Sequence, residues 1–212
     1  MQPFKDRKEA GKRLAAQLMQ YANRSDVVVV GLPRGGVPVA FEVAQALHAP
    51  LDVIVTRKIG APWQPELAVG ALTQEGVPLF NKEIMQQAGL TPDAVASITA
   101  EEQQETRRRL SLFRGNRPPL DLQGKTVIIV DDGVATGATM RAAIASAHAL
   151  GAHTVVVALP VAPKEFRASL QHDVDELVIL YEADFFPAVG YFYQQFAQTE
   201  DSQVRALLQL AD

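Results

Sequence analysis

The chain has 212 residues, with 20 Lys and Arg against 24 Asp and Glu, so its formal net charge is −4 at pH 7. This length suits one α/β domain, and we predict a single domain over residues 1–212 with a core over about 22–180. The negative charge excludes a global basic field, so we expect no nucleic-acid partner. Because the chain has no cysteine, a disulfide framework and a thiolate metal site are also excluded.

The start of the chain predicts where the protein resides. Residues 1–14 are rich in charged side chains and lack the apolar stretch of a signal peptide. No apolar run approaches the roughly 18 residues that a membrane helix needs. We therefore expect a cytoplasmic protein without membrane contact.

In the first half of the chain, predicted helices and strands alternate. In chain order they are a helix near 6–22, a strand over 27–30, a helix over 37–47 and a strand over 51–55. Residues 56–65 carry two adjacent cations, a glycine and two prolines, which favours a long mobile loop over any regular element. Strand-like segments follow at 67–73 and 77–80.

The second half continues the alternation. It contains a long charged helix over 92–114, a strand over 127–130, a helix over 140–150, strands over 154–159 and 174–180, an aromatic-rich segment over 184–196 and a closing helix around 204–208. This order predicts a mainly parallel, twisted α/β sheet that is covered by helices on both faces.

Two adjacent carboxylates, Asp131 and Asp132, directly follow the apolar strand Val127 to Val130. In open α/β sheets, ligands bind beyond the carboxyl ends of the strands, where the next helix presents free N–H groups. The residues after the acid pair are small or hydroxylated, which lets a phosphate approach the backbone closely: Gly133, Val134, Ala135, Thr136, Gly137, Ala138 and Thr139. Carboxylates repel phosphate unless they face a group that needs acceptors, such as a vicinal diol or a bound divalent cation, and a ribose 5-phosphate has such a diol.

This motif resembles the phosphoribosyl pyrophosphate (PRPP) motif of type I phosphoribosyltransferases. The resemblance implies the fold of that family, with a small C-terminal hood over about 181–199 plus terminal segments. It also implies that Asp131 and Asp132 hold the ribose hydroxyls as catalytic residues. The 5-phosphate would be bound by the loop from Gly133 to Gly137 together with Thr139.

A second loop, with Arg34, Gly35 and Gly36, follows the first strand at the same edge of the predicted sheet. Two glycines expose backbone N–H groups, and the Arg34 guanidinium suits phosphate oxygens. The loop is similar to the pyrophosphate loop of the family, especially its Arg-Gly-Gly form in bacterial xanthine phosphoribosyltransferases. The resemblance implies pyrophosphate binding and a non-proline peptide bond in this loop that adopts the cis form.

The cations Arg57 and Lys58 end the next predicted strand. The resemblance implies that they belong to the flexible catalytic loop of the family, bind pyrophosphate and exclude water on closure. Lys58 is the predicted catalytic cation of this pair. A solvated basic pair before a loop is the alternative interpretation.

Aromatic residues follow the last predicted strand, and Phe186 to Tyr191 resemble the hood segment of hypoxanthine-guanine phosphoribosyltransferases. The resemblance implies that Phe186 and Val189 contact a nucleobase-like acceptor, while core packing is the alternative role for the aromatic ring. Ala135 and Gln194 stand where those purine enzymes carry acids. A purine, a pyrimidine and another amine therefore all stay open as the acceptor.

The predicted reaction transfers ribose 5-phosphate from Mg²⁺-bound PRPP to a nitrogen and releases pyrophosphate. Mg²⁺ would be held through PRPP and water, with no direct protein ligand. The resemblance further implies nucleotide metabolism and a homodimer. Two alternatives have other chemistry. One is a non-catalytic regulator that binds PRPP. The other is a phosphatase, which is disfavoured because the loop after the acid pair is suited to hold the phosphate in place.

Overall fold

The computed structural model describes residues 4–211. Its strands are, in chain order, β1 (Val27–Gly31), β2 (Leu51–Val53), β3 (Arg57–Ala61), β4 (Gln64–Leu72), β5 (Pro78–Phe80), β6 (Thr126–Val130), β7 (Thr154–Pro163) and β8 (Glu176–Ala183). Five of them form a parallel sheet in the order β2, β1, β6, β7, β8. The other three form a small antiparallel sheet in the order β3, β4, β5.

The helices are α1 (Arg7–Ala16), α2 (Gly36–Leu47), α3 (Lys82–Gln87), α4 (Ala96–Arg114), α5 (Ala138–Ala149), α6 (Lys164–Leu170) and α7 (Asp201–Leu210). Short 3₁₀ turns occur at Met19–Tyr21, Asp93–Val95 and Val189–Phe192. Over residues 4–211, no helix combines the length and the apolar character that crossing a membrane requires.

The parallel sheet is covered on both faces, as the alternation of elements predicts. Every residue of β6 is buried. Ile128 and Val130 pack into a cluster with side chains of α1, α2 and α7, whereas Val127 and Ile129 pack into a second cluster with α5 and α6. A strand that is buried on both faces has no polar alternation, which explains the continuous apolar run in the sequence.

The expectation of a long loop over residues 56–65 is wrong, because Arg57–Ala61 is strand β3 and pairs with β4 as a hairpin. The glycine and proline that favour a loop instead make an irregular strand pairing. A Cβ atom at Gly60 would lie 2.4 Å from the carbonyl oxygen of Pro65, and the register shifts on both sides of Gly60. Ile59 is fully buried in the core of this small sheet, so burial outweighs the local turn signals.

Several smaller differences concern element ends. The opening helix ends at Ala16 and is followed by a separate 3₁₀ turn, and β7 continues to Pro163, beyond the predicted end at 159. The sequence does not predict helices α3 and α6, since each has only 6 or 7 residues. The other elements lie where the sequence predicts them, to within a few residues.

Candidate functional site

The acid pair lies at the carboxyl end of β6, as predicted. One Asp131 carboxylate oxygen, Oδ1, accepts a hydrogen bond of 2.8 Å from the backbone N–H of Asp132. Burial raises the pKa of Asp131 well above its ordinary value, and the nearby Asp132 carboxylate raises it further. Burial also raises the pKa of Asp132, although a neighbouring guanidinium, that of Arg7, opposes this change. Two carboxylates therefore share a confined, poorly solvated place at the sheet edge.

The loop with Arg34, Gly35 and Gly36 lies directly against this pair. A Cβ atom at Gly35 would be 2.1 Å from Asp132 Oδ2, and one at Gly36 would be 2.9 Å from Asp131 Oδ1. Only glycine fits at these two positions without displacing a carboxylate. The peptide bond between Pro33 and Arg34 is cis, as the sequence resemblance implies.

Residues 133–139 connect the acid pair to α5. Gly137 precedes the helix with φ of +80°, and no side chain caps the helix start, so the first N–H groups of α5 face the loop. Ala135 and Thr136 are exposed. Val134 is buried, and its N–H donates to the carbonyl oxygen of Val161 at 3.2 Å. The exposed loop residues therefore lie next to a helix start whose first N–H groups have no side-chain cap.

Each of the three cations predicted for pyrophosphate is paired with a carboxylate. Arg34 Nη1 lies 3.7 Å from Asp201, Arg57 Nε lies 2.7 Å from Glu102, and Lys58 Nζ lies 2.7 Å from Glu66. Within residues 4–211, no hydrogen bond or ion pair joins Arg57 or Lys58 to the acid pair.

The hairpin that carries Arg57 and Lys58 does contact α5, the helix that follows the loop over residues 133–139. The Thr56 hydroxyl donates to the carbonyl oxygen of Thr139 at 3.3 Å. Strands β3 and β4 both pack against α5. Arg57 directly follows Thr56, so these contacts place the beginning of β3 close to the start of α5.

The segment predicted as the hood contacts the loop over residues 133–139 through Val189. A Cβ atom at Gly133 would lie 2.6 Å from Val189 Cγ1, so the two residues are in close contact. Phe186 is half-buried and packs on Phe192, with ring centroids 5.1 Å apart. The neighbouring Phe185 and Tyr191 rings are 71% and 64% exposed and meet edge to face. This segment therefore has both packed aromatic rings and two exposed ones.

Sequence reasoning missed two residues that contact Asp132. Arg7, from α1, donates through Nε to Asp132 Oδ2 at 2.8 Å. The Tyr193 hydroxyl donates to the backbone carbonyl of Asp132 at 2.5 Å, and burial raises the pKa of this hydroxyl. Neither residue belongs to a motif, and they lie 125 and 61 positions from Asp132. The available signal was that a carboxylate at a buried strand end needs a cationic or hydrogen-bonding partner.

The model of the family described as "Phosphoribosyl transferase domain" matches residues 4–189. Two Mycobacterium tuberculosis relatives, each named "Putative phosphoribosyl transferase", are 46% identical to this chain over 211 residues. These matches cover 100% of this chain but 47% of each relative, so the chain spans about half the length of these curated relatives.

A more distant relative is the "Bifunctional protein PyrR" of Trichormus variabilis, which is 29% identical over 145 residues. That match covers 68% of this chain and 61% of the relative. Among solved structures, the protein TT1426 from Thermus thermophilus superposes with a TM-score of 0.82 at 39% identity. The alignment covers 97% of each chain.

Proposed function

Because this chain belongs to the phosphoribosyl transferase family, we propose that it transfers ribose 5-phosphate from PRPP to a nitrogen of a nucleobase-like acceptor and releases pyrophosphate. The observation that carries the proposal is the close packing of Gly35 and Gly36 on the carboxylates of Asp132 and Asp131. A ligand that has a diol beside a pyrophosphate would contact both loops at once.

The phosphate loop supplies the second anchor. Exposed Thr136 and the first N–H groups of α5 suit a dianionic 5-phosphate, and each charge-assisted hydrogen bond contributes roughly 1.5 to 3 kcal/mol. The acid pair would accept hydrogen bonds from the ribose hydroxyls. PRPP is therefore bound at its two phosphorylated ends, with the sugar between them.

In the proposed reaction, the bond between the anomeric carbon and the pyrophosphate oxygen breaks, a bond from that carbon to the acceptor nitrogen forms, and the proton on that nitrogen is released together with pyrophosphate. Positive charge develops on the ribose ring, and the carboxylates of Asp131 and Asp132 stabilise it. Arg34, Gly35 and Gly36 would take up the charge of the leaving pyrophosphate. Lys58 and Arg57 would add to this if the hairpin cations exchange their present carboxylate partners for phosphate oxygens.

The residues present fit a Mg²⁺ ion that arrives with PRPP. Over residues 4–211, no group of three or more His, Cys, Asp or Glu side chains is arranged to hold a metal ion, which agrees with an ion that the protein does not ligate directly. Mg²⁺ prefers oxygen ligands and retains several waters, so PRPP oxygens and water would supply its coordination. When bound, the ion supplies charge neutralisation of the pyrophosphate.

Contact between the hood and the phosphate loop supports an acceptor site there. Val189 touches Gly133, and Phe186 lies in the adjoining aromatic cluster. An aromatic ring on the acceptor would be held by stacking and apolar contact, which contribute roughly 1 to 3 kcal/mol without selecting a particular base. We therefore describe the acceptor by class, as a planar nitrogen heterocycle.

A non-catalytic regulator that binds PRPP is the second candidate, and one observation favours it. Arg34, Arg57 and Lys58 are all paired with carboxylates of the chain itself, so they do not form a ready site for a leaving group. A protein that only detects PRPP needs the acid pair and the phosphate loop, but not the hairpin cations.

Calorimetric titration with PRPP and Mg²⁺, followed by assays of pyrophosphate release with a panel of nucleobases, distinguishes these functions. Binding with release that depends on one base supports the transferase and names its acceptor. Binding without release from any base supports the regulator. If the protein binds no PRPP, both proposals fail.

A further inference from the structure

We propose that Arg7 is a positioning residue that fixes the Asp132 carboxylate for the ribose hydroxyls of PRPP. This inference rests on the proposed function, because it assigns a task to a residue next to the proposed PRPP site. Arg7 lies in α1, outside the parallel sheet and outside both loops that form that site.

The Arg7 side chain is held on three sides. Its Nε donates to Asp132 Oδ2 at 2.8 Å, and its Nη1 donates to the carbonyl oxygen of Ala197 at 2.7 Å. The guanidinium carbon lies 3.9 Å from the centre of the Phe196 ring. The Arg7 and Asp132 side chains are only 13% and 12% exposed, so solvent screens this ion pair less than a surface pair. A guanidinium that is fixed in this way can orient the carboxylate.

The segments around Phe4 and Tyr193 are joined beside Asp132. These two residues pair in an isolated parallel bridge. The N–H of Phe4 donates to the carbonyl oxygen of Phe192 at 2.7 Å, and the N–H of Gln194 donates to the carbonyl oxygen of Phe4 at 2.8 Å. Tyr193 in turn donates its hydroxyl proton to the Asp132 carbonyl. Hence the side chain and the backbone of Asp132 are both held by segments that are far away in sequence.

The arrangement assigns different tasks to the two carboxylate oxygens of Asp132. Oδ2 is bonded to Arg7 and lies against Gly35, where even a methyl group would not fit. A ribose hydroxyl would therefore bind Oδ1. With its rotation blocked and its ionised form favoured by the guanidinium, the carboxylate would be preorganised for the hydroxyl before PRPP arrives.

The charge of Asp132 depends on the groups that face it. These are Asp131 beside it, Arg7 from α1, and the Tyr193 hydroxyl from the C-terminal segment. Burial raises the pKa of Asp132, while the Arg7 guanidinium lowers it. Loss of the guanidinium must therefore raise this pKa, so the carboxylate becomes protonated at a higher pH.

The test compares Arg7→Gln with Arg13→Gln in the full chain. Arg13 is on the same helix and also lies over an aromatic ring, Phe4, at 4.7 Å, but its ion pair is with Glu9 and not with Asp132. We expect Arg7→Gln to weaken Mg²⁺-PRPP binding by about 10-fold or more at neutral pH. On acidification, PRPP binding by Arg7→Gln should be lost at a higher pH than PRPP binding by the wild type. Arg13→Gln should match the wild type in both respects.

Wild-type binding and an unchanged pH midpoint in Arg7→Gln would overturn the inference. Tighter binding in that variant would overturn it as well, because Arg7 would then compete with ribose for Asp132. If Arg7→Gln does not fold, as judged by circular dichroism, Arg7→Lys takes its place. Lysine keeps the positive charge but lacks the planar guanidinium with its several N–H donors, so we expect an intermediate affinity for PRPP. Wild-type affinity would contradict the positioning role.

A second measurement separates this inference from the proposed function. Carbon NMR of the side-chain carboxyl groups, with the Asp132 signal assigned by its loss in Asp132→Asn, follows the titration of Asp132 without any ligand. If the wild type binds no PRPP, the proposed function fails, but the effect of Arg7 on Asp132 is still measured. An Asp132 titration midpoint that is equal in wild type and Arg7 variants overturns the inference.

Discussion

The Asp132 carboxylate and the α-carbon of Gly35 are in such close contact that no side chain fits between them. A Cβ atom at position 35 would lie 2.1 Å from Asp132 Oδ2 and 3.3 Å from Arg7 Nε. The backbone of Gly35 has φ of −63° and ψ of −31°, which any residue can adopt. Glycine is needed there for space, and the contact sets the distance between the two loops.

Gly35→Ala should therefore weaken PRPP binding by displacing the carboxylate rather than by straining the backbone. Overpacking of this kind costs typically 1 to 3 kcal/mol, so we expect about a 10- to 100-fold loss of affinity. Calorimetric titration with Mg²⁺-PRPP measures the change.

Gly70→Ala is the matched control for this variant. A Cβ atom at Gly70 would lie 2.6 Å from the carbonyl oxygen of Leu79, so it creates similar crowding in the small sheet. Both variants should lower the melting temperature, but only Gly35→Ala should lose affinity for PRPP. Equal losses of affinity would show that general destabilisation is the cause.

Asp132→Asn should lower the rate of pyrophosphate release by about 10- to 100-fold, since a charged hydrogen-bond acceptor contributes roughly 1.5 to 3 kcal/mol. Asparagine retains the shape of the side chain, but it removes the negative charge near the ribosyl cation. The rate is measured under saturating PRPP with the acceptor found in the base panel.

The comparison variant for this experiment is Asp173→Asn. Asp173 pairs with Arg141 at 2.8 Å on an exposed part of the surface. It should leave the rate unchanged. Turnover at the wild-type rate in Asp132→Asn would show that Asp132 is not a catalytic residue.

The sequence is sufficient to predict the parallel sheet and the placement of its two loops at one edge. The run Val127 to Val130 has no polar residue, which requires burial on both faces, and parallel strands place their following loops at one edge. That principle places Asp131 and Gly36 at the same edge of the sheet. Their contact also requires β1 and β6 to be neighbouring strands, and that strand order comes from the structure.

Other parts of the site depend on tertiary packing, which leaves no local pattern. Arg7 is one of several cations in an amphipathic helix, and only its place in the fold distinguishes it from Arg13. The β3 hairpin escapes prediction because Gly60 and the nearby prolines have strong turn preferences, while the buried contacts of Ile59 outweigh them. Long-range contacts of this kind can be read only from the structure.

Substitutions of Lys58 and of its partner Glu66 should have opposite effects on the interaction with PRPP. Their ion pair is exposed and contributes about 0 to 1 kcal/mol, so Lys58 can exchange Glu66 for pyrophosphate at little cost. We expect Lys58→Gln to slow pyrophosphate release by about 10-fold, since it loses one charge-assisted contact. Glu66→Gln should bind PRPP up to about fivefold more tightly, because it frees the lysine.

Single-turnover assays and calorimetry on the two variants check this pair. If both variants behave like the wild type, Lys58 has no part in pyrophosphate binding. That result would also favour the regulator over the transferase.

The Arg114 side chain should be a major contributor to stability through Asp52. Two hydrogen bonds of 2.9 Å join them, and both side chains are largely buried. Asp52→Ala leaves a buried guanidinium without this partner, so we expect a loss of about 3 kcal/mol in the free energy of unfolding. For a chain of this size, that is a fall of roughly 6 to 12 °C in melting temperature.

Asp173→Ala removes one partner of an exposed pair and is the control for this measurement. It should change the stability by about 0 to 1 kcal/mol. Calorimetric melting curves of both variants measure these changes in stability. A similar small change in Asp52→Ala would mean that water replaces the lost carboxylate.

Replacement of the Asp131 carboxylate should change the stability and the PRPP affinity in opposite directions. Burial raises the pKa of its carboxyl, so the folded state disfavours the ionised form that the unfolded chain adopts at neutral pH. The raised pKa of Asp131 therefore lowers the stability at neutral pH. The cost declines as the pH falls through the raised folded pKa and is gone below the unfolded value of about 3.9. Asp131→Asn is neutral at every pH, and its side-chain oxygen can still accept the N–H of Asp132.

We expect Asp131→Asn to melt at a higher temperature than the wild type at neutral pH and to bind PRPP more weakly. The difference in melting temperature should vanish in acid. Melting curves at neutral and acidic pH, together with PRPP titrations, measure both effects, with the exposed Asp93→Asn as a control for the loss of one charge. An equal or lower melting temperature of Asp131→Asn at neutral pH would mean that the Asp131 charge is compensated in the fold. In that case the acid pair would carry no stability cost for its proposed function.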